Sequence, residues 1–165
     1  MAALAAGMTA PEIHLPTLEG KKFSLHAALK KGPVIVVFFK ISCPVCQFAL
    51  PYIERIYRAL KGKNATVIGV SQNTKQDTAA FIEEYGITFP IVLDERQHYP
   101  VSNAYGITNV PTAFYITPGG EIEISSVGWS RPDLEDMARK LADDLSTHKI
   151  NVIRAGEDVP DFRTG

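Results

Sequence analysis

Cys43 and Cys46 are the only two cysteines of this 165-residue chain, and they stand three residues apart in the stretch FFKISCPVCQFALP. A Cys-x-x-Cys pair can ligate a metal, staple a fold or cycle between dithiol and disulfide. Structural zinc wants four ligands, from two such pairs or from one pair with closely spaced histidines. The four histidines (His14, His26, His98 and His148) are scattered without that spacing. An iron–sulfur cluster is equally short of ligands unless two chains share it. One crosslink adds little to a chain long enough to bury its own core. Redox chemistry is what remains, with no metal and no other cofactor expected.

That chemistry needs one sulfur within reach and the other protected. Val34–Phe39 is a continuous apolar, β-rich run after Gly32-Pro33, as expected of a strand covered on both faces. From Pro44 to about Leu60, Phe48, Ile53, Ile56, Tyr57 and Leu60 recur close to a helical period. The pair thus opens a helix that follows a buried strand, with Cys43 expected in its first turn. Pro44 suits an early helical position, where its missing N–H costs nothing. Unpaired amides and the positive end of the helix dipole favour an anion there, which makes Cys43 the expected nucleophile. Cys46, one turn on and more buried, is the expected resolving thiol. Lys40 stands three residues upstream and either adds positive potential or is simply solvated.

Further strands are expected at Ala65–Val70, Phe89–Leu93, Thr112–Thr117 and Glu121–Val127, the last two forming a hairpin around Pro118-Gly119-Gly120. The alternation Glu121-Ile122-Glu123-Ile124 suggests an edge strand with one wet face. Thr74–Tyr85 and Pro100–Tyr105 read as helices. A last helix carries Leu134, Met137, Ala138, Leu141 and Leu145 on one face, and Ser130 with Asp133 has the form of a capping box. Glu12–Leu25 reads as a hairpin around Leu18–Lys21. Strands alternating with helices imply an α/β fold with a central mixed sheet flanked by helices. No internal repeat of domain size is present. AGEDVPDFRTG at the end echoes AAGMTAPEIHL near the start, which reads as shared turn chemistry.

The chain is 45% hydrophobic and 21% charged, with a formal net charge of −1, as in an ordinary soluble globular protein. There is no basic stripe for a nucleic acid. The longest apolar run, Pro33 to Phe39, is far short of the roughly 20 residues that span a bilayer. The opening seven residues lack the charged and apolar regions of a signal peptide. The expected setting is cytoplasmic as written, or extracytoplasmic if an export signal has been removed.

The motifs together resemble the redoxin (AhpC/TSA, TlpA-like) branch of the thioredoxin superfamily. GMTAPEIHLPTLEGKKFSL is similar to its N-terminal hairpin, and GPVIVVFFKISCPVCQFALP to its central strand, active-site pair and helix, with Pro51 where that helix is kinked. YGITFPIVLD and YGITNVPTAFYITPGGEI are similar to its later strands, Val110-Pro111-Thr112 included. The resemblance implies one thioredoxin-like domain over residues 1–165, with its core at about 7–145 and a C-terminal extension at 147–165. It implies that Pro111 is cis and packs on the pair. It implies as well that Val110, Pro111 and Pro44 form the substrate-binding surface, with the Val110 backbone pairing to a bound strand.

Some positions depart from that pattern. Ser42 stands where relatives commonly have an aromatic, and Val36–Phe39 holds no acid beneath the second cysteine. After the next strand, where a glutamate is common, GVSQNTKQ offers Asn73 and Thr74. No proton acceptor for Cys46 is evident, which leaves the rate and redox poise open but not the reaction type. The expected function is a thiol–disulfide oxidoreductase acting on a disulfide-containing protein or a small disulfide, with an unassigned electron donor, as a monomer or weak dimer. The alternative is a peroxiredoxin-type antioxidant peroxidase, with Cys43 attacking a hydroperoxide. Against it, Lys40 and Pro111 stand where such enzymes have a threonine and an arginine. A copper metallochaperone would need His98 or His148 folded back onto the pair.

Overall fold

A computed structural model describes residues 2–95 and 97–165. An N-terminal hairpin comes first, β1 (His14–Pro16) paired antiparallel with β2 (Lys22–Ser24). Its turn closes by Thr17 N–H donating to Lys21 O, with Gly20 at φ +86° where a side chain would be strained. A short helix, α1 (Leu25–Leu29), follows directly, its first turn capped by the Ser24 hydroxyl. The sequence pattern leads one to expect only the hairpin here, because five residues are too few for helical periodicity to register.

The central sheet has the order β5-β4-β3-β6-β7. It is built from β3 (Val34–Phe39), β4 (Thr66–Ser71), β5 (Ile91–Leu93), β6 (Thr112–Ile116) and β7 (Ile122–Val127). β3 runs parallel to β4 and antiparallel to β6, so the sheet is mixed as expected. β3 is also the reason the sheet has two cores. Ile35, Val37 and Phe39 enter the one formed by α2 (Pro44–Ala59), α3 (Lys75–Tyr85) and α5 (Arg131–Asp144), while Val34, Val36 and Phe38 enter the other, with α1 and α4 (Pro100–Ala104). Side chains alternate across a strand, so only a continuous apolar run can serve both faces. All six side chains are buried, each contributing on the order of 1.5–3 kcal/mol by removal from water.

β5 is shorter than expected, starting at Ile91, because Pro90 cannot donate to a ladder. β7 is the sheet edge, and the opening residues partly cover it. Gly7 N–H donates to Ile122 O and Ile122 N–H to Met8 O. The echo between the two ends of the chain is turn chemistry, with Gly7 at φ +94° and Gly156 at φ +85°.

Two further strands lie outside the expected set. β8 (Trp129–Ser130) pairs antiparallel with β9 (Phe162–Arg163) and brings the end of the chain back to the middle. The segment between α5 and β9 is fastened to the main core. Ile150, Val152 and Val159 are buried in it, Trp129 Nε1 donates to Pro160 O at 2.7 Å, and Arg55 makes paired bonds to Glu157 at 2.7 and 2.8 Å. No helix among the described residues is long and apolar enough to cross a membrane.

Candidate redox site

Cys43 is the N-cap of α2 rather than a residue of its first turn, with extended backbone at φ −85° and ψ 116°. From there its Sγ accepts the backbone N–H of Cys46 at 3.3 Å, one of the donors that every helix start leaves unpaired. Pro44 follows as the first helical residue and is exposed. Pro51 lies inside the same helix, which continues through it to Ala59.

The two sulfurs differ in their surroundings. Cys43 is half-buried and Cys46 is fully buried, and both are free thiols. Burial pushes the Cys46 thiol well above the ordinary cysteine range, and contact with Cys43 adds to this, while the Lys40 backbone works the other way. The Lys40 side chain is exposed. Among the described residues no carboxylate contributes to the Cys46 shift. The buried acids are engaged elsewhere: Glu54 accepts from Thr88, Phe89 and Arg58, and Asp94 from the amides of Val101 and Ser102.

Opposite the pair lies the loop before β6. The Val110–Pro111 bond is cis, as the resemblance implies, and Pro111 is buried. The Cys43 thiol donates to Val110 O at 3.4 Å, a long contact of the kind sulfur makes. Residues 67 apart in sequence therefore meet at one carbonyl. A thiolate has no proton to give, so attack by Cys43 releases that carbonyl.

Two residues that sequence reasoning did not place hold the approach to Cys43. Asn73 Oδ1 accepts from Ile41 N–H at 2.9 Å, and Gln47 Nε2 donates to Ile41 O at 2.9 Å. Asn73 thus anchors the loop between β3 and α2, and neighbouring Thr74 caps α3 through Asp77 N–H. The sequence marked Asn73 only as standing where relatives commonly have a glutamate, and nothing but polar character marked Gln47. An aromatic group borders the pair, with Phe48 edge-on to Trp129 at 4.9 Å between centroids and Tyr52 against both. His98 sits in a left-handed loop before α4, and His148 follows α5. Among the described residues no three His, Cys, Asp or Glu side chains are grouped to hold a metal ion.

Residues 6–125 match the model of the AhpC/TSA family. The chain is 34% identical over 122 residues to the thiol-disulfide oxidoreductase ResA of Geobacillus thermodenitrificans, covering 73% of this chain and 68% of that protein. It is 33% identical over 135 residues to ResA of Geobacillus kaustophilus, covering 81% and 76%. Among solved structures, the thioredoxin domain of a thiol-disulfide oxidoreductase from Bacteroides vulgatus superposes with a TM-score of 0.74 at 30% identity, over 84% of this chain and 99% of that one.

Proposed function

The chain belongs to the AhpC/TSA family and is a thiol–disulfide oxidoreductase, and from that premise we propose that Cys43 attacks and Cys46 resolves. The observation that carries this reading is the asymmetry of the pair on one helix start. Cys43 is within reach and accepts the Cys46 amide at 3.3 Å, while Cys46 lies buried one turn on. In the reductive direction the Cys43 thiolate attacks one sulfur of a substrate disulfide. The substrate S–S bond breaks, a mixed disulfide forms and the first substrate thiolate leaves and takes up a proton. Cys46, deprotonated, then attacks Cys43 Sγ and expels the second substrate thiolate. Two electrons and two protons have passed to the substrate, and the protein holds a Cys43–Cys46 disulfide. An external dithiol restores it by the reverse exchange.

The substrate of this reading is a disulfide-containing protein. Val110 offers an extended strand its backbone beside Cys43, with Pro111 beneath and Pro44 at the rim. Lys40, exposed at the end of β3, supplies positive potential at the mouth of the site.

Parallel turnover assays test the assignment, one reducing insulin disulfides with dithiothreitol as donor and one consuming hydrogen peroxide with the same donor. Turnover of the disulfide, with peroxide consumption at least about tenfold slower, is the expected result, because Lys40 and Pro111 stand where a peroxiredoxin-type peroxidase has its threonine and arginine. Peroxide consumption as the faster reaction would reverse the assignment.

A further inference from the structure

The last residues of the chain run along the site itself. β9 pairs Arg163 with Trp129 and Phe162 with Ser130, adding an antiparallel strand to β8. Three contacts then fix its path. The Arg163 guanidinium lies over the Phe48 ring, 4.9 Å from its centroid, on the helix that carries both cysteines. Asn109 Nδ2 donates to Gly165 O at 3.3 Å. Gly165 stands so close to the substrate loop that a Cβ there would lie 2.1 Å from Val110 O and 3.3 Å from Pro111 Cδ. The same Val110 oxygen accepts from Cys43 Sγ at 3.4 Å. The tail therefore meets the reactive cysteine's own backbone partner.

Its hold is uneven. Upstream, Val152 and Val159 are buried and Glu157 is doubly bonded to Arg55. From Asp161 onward every residue is exposed, Phe162 to 69%. Residues 162–165 are held by a two-residue strand pairing, one cation–π contact and one long hydrogen bond, and just upstream Arg131 N–H donates to Asp161 O at 2.8 Å. Such contacts are individually weak.

We propose that residues 162–165 are a strap over the polypeptide groove beside Cys43. An extended polypeptide disulfide displaces it from β8 and Val110 before its sulfur meets Cys43. A small disulfide reaches Cys43 with the strap in place. The strap also outlines what it gives way to: an extended strand with a cationic side chain over Phe48 and a small residue against Val110. This rests on the oxidoreductase reading above and adds to it a competitor built into the chain.

Arg163→Gln removes the cation from Phe48, and Gly165→Val cannot keep its approach to Val110. The double variant should raise kcat/KM for insulin disulfides about two- to fivefold, the range a lost exposed cation–π contact implies, and leave that for oxidised glutathione unchanged. An insulin value that is unchanged or lower overturns the strap. A second measurement does not depend on turnover: labelling of reduced Cys43 by iodoacetamide and by a polymer-linked maleimide. The variant should quicken labelling by the bulky reagent alone, and unchanged or slower bulky labelling overturns the strap as well. If the parent protein reduces neither disulfide, the oxidoreductase reading falls, while the labelling rates still decide the strap.

Discussion

At the scale of single residues, Cys46 pairs a buried thiol with no acid to take its proton. The absence was legible in the sequence, since Val36–Phe39 is apolar throughout and the strand after it leads to Asn73. The structure adds the physical consequence. Burial raises the Cys46 thiol, so the folded, reduced protein keeps a proton that the unfolded chain loses. The sign follows from linkage: stability is full below the unfolded value and falls as pH rises past it. Reduced protein should lose about 1.4 kcal/mol per pH unit above about 8.5, and Cys46→Ala should flatten that slope. Tyr105 and Tyr115, also raised by burial, enter only above their unfolded value of about 10, so the window from 8.5 to 10 reports on the thiol. Urea unfolding at stepped pH under reducing conditions measures it. A slope unchanged in Cys46→Ala would remove the buried-thiol argument.

At the scale of elements, the long strands and helices were legible because their apolar spacing repeats. β3, written as six apolar residues, was found at its full extent. α1, β8 and β9 were not legible, being two to five residues long and set by partners distant in sequence. Glu54 shows why the second kind of information is missing. Within PYIERIYRAL it reads as a solvated helix position, yet it is 4% exposed and accepts from Thr88 N–H at 2.8 Å and Phe89 N–H at 3.2 Å. It ties α2 to the segment entering β5, and Thr88 Oγ1 and Arg58 complete its partners. Glu54→Ala strands those amides and should cost about 3 kcal/mol in urea unfolding. Labelling of Cys43 should be unaffected, because the N-cap of α2 takes no part in the Glu54 contacts. The Arg55–Glu157 pair fastens the extension in the same fashion. Two hydrogen bonds from Arg55 hold the Glu157 carboxyl down to about 2. A depressed carboxylate stabilises above its unfolded value of about 4.3 and loses that contribution as pH falls toward 2. Amides of 150–159 should therefore lose protection, relative to their intrinsic exchange rates, below pH 4, and Arg55→Met should reproduce the loss at neutral pH. Exchange as slow in the variant as in the parent would show that apolar burial alone holds the extension.

At the scale of the whole molecule, two sheets bring together residues that the sequence separates. Cys43 reaches Val110 because β3 and β6 are neighbours, and the tail reaches Val110 because β9 docks on β8. The first meeting was implied by resemblance to a known family. The second had no precursor in the sequence: Ile150, Val152 and Val159 lie in a mixed stretch and share no period, so nothing announced that they enter the core. The central claim, a directional pair in which Cys43 attacks and Cys46 releases, is tested most directly by trapping. Cys46→Ser is incubated with an oxidised protein substrate and the covalent adduct is mapped by mass spectrometry. A mixed disulfide should accumulate on Cys43, because the attacking sulfur keeps its helix terminus while the resolving sulfur is gone, and Cys43→Ser should trap nothing. An adduct formed by Cys43→Ser through Cys46, or a Cys46→Ser protein that keeps most of its turnover, would contradict the account.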